Sequence, residues 1–357
     1  MAFRVAGISF DHMHMGDLLR MAHDHPEAEI AGVFDPNPDR MCRAIADFGI
    51  PESRVFTELE ACIETARPDL AILCVKTAEH AAYTERLAAL GVNVMVEKPF
   101  AATADEARRM IAAMEKSGKT LAINWPLAWV ESHATAKRWV DEGKIGKLIE
   151  VHSYGGNRGP LYHLADKIEV SREEVERQKP TSWWYKREAG GGSLLDYLGY
   201  GATLGTWYMN GEAPLDVTSA WDAGGEVEVD QHSITICRYS AGLSKMETRW
   251  GTFTDPWTIQ PQPKCGFVLV GEDGTISSYD YDEFITVQNR AQPNPTRVPV
   301  DRLPEGRRNG VEYVLGCISE EKKPEGCLDP ALCLTAQRIV DTAFQAAESK
   351  RTMELLP

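Results

Sequence analysis

The chain lacks the patterns that identify several common classes of protein. None of its eight cysteines stands in a CxxC pair, which argues against a zinc ribbon or a thioredoxin-like centre and favours a reducing compartment. No run of about 18 apolar residues occurs, so no segment is expected to span a membrane. The N-terminus, MAFRVAGISF, has no secretory cleavage pattern. We therefore expect a cytoplasmic protein.

Positive charge is also scarce. The chain has 38 lysines and arginines against 53 aspartates and glutamates, which gives a formal net charge of −15. We expect no nucleic-acid partner, because binding to the phosphate backbone depends on basic side chains. The length of 357 residues, 43% of them hydrophobic, is enough for two domains with large cores.

Residues 1–123 alternate short apolar runs with segments of helical period. The runs are RVAGIS, EIAGVF, LAILCV, VNVMVE and TLAI. Such alternation is typical of βαβ units around a parallel sheet. Residues 124–357 instead show longer alternating segments, such as SITICRYS and LSKMETRW, and two helical segments. We predict an α/β domain over 1–123 and an α+β domain with antiparallel strands over 124–357, whose last helix can pack back on the first domain.

The turn after the first apolar run lacks two glycines of a dinucleotide-binding loop. A GxGxxG loop lets the backbone approach the pyrophosphate at the start of a helix. The aligned residues here run from Gly7 to His12, with Ser9 and His12 in place of the second and third glycines. An ordinary strand-to-helix turn therefore stays open as an alternative. Ser9 is small enough for a close approach, and Gly16 can take up part of the packing role of the third glycine.

Asp35 supports the nucleotide interpretation by its position. It ends the second apolar run, in EIAGVFDPNPDR, where a carboxylate can accept hydrogen bonds from both ribose hydroxyls of NAD and repel the 2′-phosphate of NADP. Nearby Arg40 can bind that phosphate, so NADP stays possible. The alternative role for Asp35 is that of a turn residue before Pro36.

His12 and His14 raise the alternative of a metal site in the same stretch. In a helical segment these two residues would lie about 200° apart around the axis, on different faces. We therefore expect no metal.

The stretch GVNVMVEKPFAATADEA carries a more specific signal. A strand that ends in Glu97, Lys98 and Pro99, followed downstream by AGGGSLLDYLGYGATLG, resembles the Gfo/Idh/MocA family of nicotinamide-dependent sugar and cyclitol oxidoreductases. The resemblance implies a Rossmann domain followed by an α+β domain with a large open, mainly antiparallel sheet. That sheet often forms a subunit interface, so a homodimer or homotetramer is expected. The resemblance also implies NAD or NADP as cofactor and a sugar, sugar acid or cyclitol as substrate.

The loop, the strand ends and the resemblance together give a set of cofactor-binding candidates in the first domain. His80 belongs to this set because LAILCVKTAEHAAYTERLAALG is similar to the fourth strand and following helix of the family. The candidates are Gly7, Ser9, Phe10, Asp11, His12, Asp35, Arg40, Val75, His80, Glu97 and Lys98.

The catalytic candidates are Lys98, Asp196 and Tyr200. Oxidation of a secondary alcohol needs a base for the hydroxyl proton while hydride leaves for the nicotinamide. Most family members place a histidine four residues after the aspartate of GGGxLLD, whereas this chain has Tyr200 there, as in relatives of glucose-fructose oxidoreductase. We predict that Lys98 lowers the pKa of Tyr200, and that Asp196, on the same helix face, positions a substrate hydroxyl or orients Lys98. The alternatives are a packed aromatic, a helix carboxylate and a surface lysine.

Aromatic and polar residues elsewhere are weaker substrate-binding candidates, since such side chains suit a carbohydrate-sized ligand. They are Trp125, Asn157, Trp184 and Lys186. The leading functional prediction is an NAD(P)-dependent dehydrogenase that oxidises a hydroxyl of a sugar, sugar acid or cyclitol. Two alternatives stay open: a glycosidase that uses bound NAD for transient oxidation and elimination, and a non-catalytic sensor that binds a dinucleotide.

Overall fold

Six parallel strands form the first sheet of the computed structural model, which describes residues 2–222 and 227–357. They lie in the order β3-β2-β1-β4-β5-β6, and every neighbouring pair is parallel. The strands are β1 Phe3–Ile8, β2 Ala28–Phe34, β3 Val55–Phe56, β4 Leu70–Leu73, β5 Asn93–Glu97 and β6 Leu121–Asn124. Every side chain of β4 is buried, which explains why this strand reads as a continuous apolar run. The predicted parallel sheet is confirmed, and the two-residue β3 is a strand that the pattern did not predict.

Five helices connect these strands. They are α1 His14–His23, α2 Cys42–Phe48, α3 Leu59–Ala66, α4 His80–Ala89 and α5 Ala104–Ser117. The bounds of α5 follow directly from its sequence. The Thr103 side chain accepts a hydrogen bond from the Glu106 N–H at 3.2 Å, and Gly118 ends the helix in the left-handed conformation, as N-cap and C-cap residues do.

The strand order reverses between β1 and β4. Since β1 has β2 on one side and β4 on the other, the connections leave in opposite directions and a crevice opens at the carboxyl ends of these two strands. The loops after β1 and β4 therefore meet at the place where open parallel sheets bind their ligands.

Nine strands form the second sheet of the described residues, in the order β14-β13-β12-β11-β7-β10-β9-β8-β15. They are β7 Leu148–Asn157, β8 Asp216–Trp221, β9 His232–Tyr239, β10 Gly242–Trp250, β11 Gly266–Gly271, β12 Gly274–Tyr279, β13 Phe284–Asn289, β14 Gln292–Pro299 and β15 Met353–Glu354. All neighbouring pairs are antiparallel except β7 with β10. The predicted open, mainly antiparallel sheet is confirmed.

Helices of the second part cover one face of this sheet and reach the first sheet's helices. They are α6 Glu131–Asp141, α7 Arg172–Gln178, α8 Gly199–Tyr208, α9 Gly310–Ser319 and α10 Pro330–Ser349. The last of these, α10, packs on α8, β8 and α5. There Asp341 accepts a hydrogen bond from the Ala104 N–H at 2.7 Å.

A π-helical turn, Leu194–Leu198, leads into α8. Such turns are rare and occur frequently at functional sites, and this one contains Asp196.

The other face of the second sheet is open. Along β9 the residues alternate between buried and exposed, and the exposed set includes Ile234 and Ile236, each 41% exposed, with Leu243 of β10 nearby at 45%. In the part of the chain that the structure describes, no helix has both the length and the hydropathy needed to cross a membrane.

Candidate active site

A cavity of about 590 Å³ lies between the two sheets. Its first wall includes the start of α1 and the ends of β5 and β6, and its second wall includes β7, β10, the π-helical turn and α8. The volume suits a small ligand that is largely enclosed. Lys98, Asp196 and Tyr200 all line this cavity, although the first of them is about a hundred residues from the other two in the sequence.

Lys98 and Asp196 form a buried ion pair. One oxygen of Asp196 accepts from the Lys98 ammonium and the other accepts from the indole N–H of Trp250 at 3.0 Å. The ammonium also lies 5.8 Å from the ring centroid of Trp184 and 5.3 Å from that of Tyr200. A buried charge requires such partners, so this arrangement fixes the position of the Lys98 ammonium at the cavity wall.

The ammonium of Lys98 lies over the face of the Tyr200 ring. Burial raises the pKa of Tyr200 well above its ordinary value, and the carboxylates of Glu97 and Asp196 raise it further. The net shift of this pKa is therefore upward, and a lowering contribution from Lys98 stays a prediction. The Tyr200 phenol stays protonated near neutral pH and is a hydrogen-bond donor in this site.

Two of the four predicted substrate-binding residues lie outside the cavity. The buried Trp125 ring packs edge-to-face on Tyr200, with centroids 5.2 Å apart, and closely against Gly199. Trp125 therefore packs against Tyr200 without lining the cavity itself. Lys186 is 37% exposed and pairs with Glu228 at 2.6 Å, away from the cavity lining. The other two, Asn157 and Trp184, do line the cavity.

The loop between β1 and α1 keeps the backbone of a dinucleotide loop despite its missing glycines. Ser9 is buried and has a positive φ of 65°, a conformation that glycine adopts at lower cost. At Gly7 a Cβ would lie 3.0 Å from the Met15 sulfur, so this glycine allows α1 to pack on β1. At Gly16 a Cβ would lie 2.4 Å from the Cβ of Ala165. Gly16 thus serves contact with the second domain, and not the sheet packing that we predicted for it.

The free amide groups of this loop fit a pyrophosphate. The N–H groups of Ser9, Phe10 and His12 donate to Phe34, Asp35 and Cys74. Among the described residues, those of Asp11 and Met13 have no acceptor. Unpaired N–H groups at the start of a helix are the usual anion site. The Arg40 guanidinium pairs with the Asp11 carboxylate and so offsets its repulsion of a phosphate.

Asp35 is fully buried directly after β2. Its carboxylate is 0% exposed and accepts from the N–H groups of Phe10 at 2.7 Å and Asn37 at 2.8 Å. Through these two hydrogen bonds Asp35 fixes the dinucleotide loop to β2, and its contact with a ribose stays a prediction. Arg40 is exposed at this strand end, so NADP stays possible.

His80 is buried between two loops of the first sheet. Its Nδ1 lies 3.1 Å from the Phe100 carbonyl oxygen and its Nε2 lies 3.0 Å from the Val75 carbonyl oxygen. Burial lowers the pKa of His80, and the hydrogen bonds with the two carbonyl groups partly oppose this shift. Both ring nitrogens face backbone carbonyl oxygens of the protein, and a contact of His80 with the cofactor stays a prediction. His80 ties the loop after β4 to the loop after β5.

His12 and His14 lie side by side at the start of α1. The helix begins only at His14, so the predicted placement on opposite faces is wrong, and the two ring centroids are 4.5 Å apart. Together with Glu97 they bring three possible metal-ligand atoms within 4.8 Å of one another. The His14 Nδ1 lies 2.7 Å from the Glu97 Oε1, however, which is a hydrogen-bond distance. Two ligands at about 2.1 Å from one ion stand roughly 3 Å or more apart.

Models of two known domain families match most of the chain. Residues 3–125 match the model described as an oxidoreductase family with an NAD-binding Rossmann fold, and residues 133–277 match the Gfo/Idh/MocA C-terminal domain. The chain belongs to the Gfo/Idh/MocA oxidoreductase family. NAD binding by its first domain agrees with the free amides at the start of α1.

Several proteins resemble this family member over most of its length. A 1,5-anhydro-D-fructose reductase from Ensifer adhaerens is 24% identical over 251 residues, which cover 70% of this chain and 67% of that protein. The crystal structure of an aldose-aldose oxidoreductase from Caulobacter crescentus complexed with glycerol has a TM-score of 0.79 at 19% identity and covers 99% of this chain and 100% of that chain. GenD2 from gentamicin A biosynthesis, in complex with NAD, has a TM-score of 0.79 at 17% identity, with coverage of 100% and 97%. These two structures show a common fold.

Several side chains that line the cavity of this Gfo/Idh/MocA member had no sequence signal. His163, Trp257 and Tyr281 come from irregular segments between strands, where periodicity carries no information. Trp250, the partner of Asp196, ends β10 and looks like an ordinary strand residue. Nothing in the sequence places His14 in contact with Glu97, although both residues are cofactor-site or metal-site candidates by sequence.

Proposed function

We propose that this chain oxidises a hydroxyl group of a sugar or cyclitol, with NAD or NADP as hydride acceptor. The observation that carries the proposal is the buried Lys98–Asp196 pair in the wall of a sugar-sized cavity, at the carboxyl end of β5 and beside the dinucleotide loop. The names of the reductase from Ensifer adhaerens and the oxidoreductase from Caulobacter crescentus support the sugar class.

The bound nicotinamide would supply the hydride acceptor, and the protein's own side chains would hold the reacting hydroxyl. Lys98 has three N–H donors, of which Asp196 takes one. A second can reach a substrate oxygen and stabilise the negative charge that develops on it. Tyr200, held as a neutral phenol, can donate to the same oxygen. The ring faces of Trp184 and Trp257 in the cavity lining suit the apolar face of a sugar ring.

The charge of the cavity favours a neutral substrate over a sugar acid. Seven acidic side chains but only three basic ones line it, and Lys98 is already paired with Asp196. A carboxylate would therefore be repelled. The acidic set is Asp17, Glu131, Asp196, Glu247, Asp280, Asp282 and Glu283, and the basic set is Lys98, Lys167 and Arg308.

A screen of neutral sugars, sugar acids and inositols by NADH or NADPH fluorescence tests this function. We expect reduced cofactor to form in proportion to substrate consumed, with lower KM for neutral sugars than for the matching acids. Turnover of a glycoside without accumulation of reduced cofactor would favour the glycosidase alternative. Cofactor binding without turnover of any member would favour the sensor alternative.

The proposal extends to a homodimer or homotetramer through the open face of the second sheet. Ile234, Ile236 and Leu243 expose apolar surface on adjacent strands there, and contiguous apolar surface of this kind marks interaction sites. Light scattering coupled to gel filtration measures the mass of the assembly.

A further inference from the structure

The carboxylate of Glu97 is fully buried at the end of β5 and has two side-chain partners. Its Oε2 accepts from the Asn124 amide at 2.8 Å, and its Oε1 lies 2.7 Å from the Nδ1 of His14. Asn124 is held in turn by the Trp129 indole N–H at 3.2 Å. A carboxylate only accepts hydrogen bonds, so His14 donates from Nδ1. Its tautomer is thereby fixed, and Nε2 carries a free lone pair.

The His14 side chain forms part of the cavity wall. The His14 side chain is 22% exposed and lines the same cavity as Lys98, which follows Glu97 in the chain. Among the residues that the structure describes, no hydrogen bond to this nitrogen is formed. An imidazole that is oriented by a buried carboxylate and open on its other nitrogen is the usual form of a histidine base.

Four other ionisable groups of the cavity are less suited to accept a proton. The Asp196 oxygens are occupied by Lys98 and Trp250. The His12 Nδ1 accepts from the His14 N–H at 3.2 Å, and burial lowers the pKa of His12 well below its ordinary value. Burial also lowers the pKa of His163 to about 3. Tyr200 is a protonated phenol, so it has no lone pair of sufficient basicity.

We propose that His14 is the catalytic base of the reaction and that Glu97 is its positioning residue. The inference rests on the proposed function. As the C–H electron pair leaves the substrate carbon as hydride for the nicotinamide, the O–H bond breaks, its proton passes to the Nε2 of His14, and the carbon–oxygen double bond forms. The resulting imidazolium is stabilised by Glu97 and returns the proton to water after the product leaves.

His14→Ala in the full-length protein, with a sugar that the wild type oxidises, tests the assignment. We expect kcat to fall by about 10²- to 10⁴-fold, the usual contribution of a general base. The Kd for NAD, measured by quenching of tryptophan fluorescence, should change little. Added imidazole should restore part of the rate, because it can occupy the vacated space and accept the proton. His14→Asn keeps a donor for Glu97 without a base, so we expect it to fold as the wild type and to be equally slow.

The matched control is His23→Ala, at the exposed end of the same helix, which should retain the wild-type kcat. A kcat within about threefold of the wild type in both His14 variants, or a slow His14→Ala enzyme that imidazole does not rescue, would overturn the assignment. So would loss of wild-type activity after chelation with recovery on adding Zn²⁺, since the three side chains would then hold an ion. A wild type that reduces no cofactor with any sugar would instead overturn the proposed function.

Discussion

The ends of β2 and β5 both present acidic residues beside the dinucleotide loop, yet they use them differently. At the end of β2, Asp35 is turned inward and holds the loop backbone. At the end of β5, Glu97 is equally buried but directs His14 toward the cavity, and the next residue, Lys98, reaches the cavity wall. The position of a charged residue at a strand end therefore does not by itself tell whether it builds the site or takes part in its chemistry.

The largest effect is expected at the end of β5. Lys98→Met should lower kcat/KM by about 10³-fold or more, because it removes both the donor to the developing charge and the fixed positive charge. It should also destabilise the protein by about 3–5 kcal/mol, since Asp196 keeps a buried charge without its partner. Initial-rate kinetics and chemical denaturation measure the two effects.

The double variant Lys98→Met with Asp196→Asn separates these contributions. It should recover much of the lost stability but none of the activity. A single Lys98→Met variant as stable as the wild type would mean that Asp196 has solvent access or another partner.

Tyr200→Phe should have a smaller effect than either Lys98→Met or His14→Ala. It removes one neutral donor to the substrate oxygen, and we expect kcat/KM to fall by about 10- to 100-fold, as for a lost hydrogen bond of about 1.5–3 kcal/mol. Because the pKa of Tyr200 is raised, the phenol stays protonated through the neutral and mildly alkaline range. The pH profiles of the wild type and the variant should therefore have the same shape from pH 6 to 9. An alkaline-side rise in kcat/KM that the variant alone lacks would restore Tyr200 as the base.

Substitutions at the end of β2 are expected to have the next smaller effect, on the affinity for the cofactor. Asp35→Asn should weaken NAD and NADP to a similar degree, by about tenfold, because it loosens the loop that both cofactors share. Arg40→Ala should weaken NADP more than NAD, since Arg40 is the exposed cation at this strand end. Titration of each variant with both cofactors, followed by tryptophan fluorescence, measures the four affinities. If the Asp35 variant lost affinity for NAD but not for NADP, the result would support a contact between the Asp35 carboxylate and the ribose.

The elements of both domains could be predicted from the sequence because periodicity reports which faces of a segment are buried. The resemblance of two stretches of the sequence to a known family also indicated Lys98, Asp196 and Tyr200. The structure brings these three residues together. Contacts between side chains far apart in the chain could not be predicted. Burial of Asp35, the carbonyl partners of His80, and the balancing of Lys98 by Asp196 all depend on tertiary packing. The predicted angle between His12 and His14 was wrong for a local reason. His12 and Met13 belong to the loop, and the helix starts at His14.

A substitution far from both strand ends tests whether the site depends on assembly. Ile236→Lys places a charge on the exposed apolar face of β9, where burial in a subunit interface would be costly. We expect the mass in solution to fall to that of a monomer while kcat stays within about twofold of the wild type, because Ile236 itself is not among the cavity-lining residues. Ala112→Lys, at an exposed position of α5 in the first domain, is the control for added charge alone. An unchanged mass in the Ile236 variant would place the subunit contact elsewhere, and a large loss of kcat with loss of assembly would mean that a neighbouring subunit shapes the cavity.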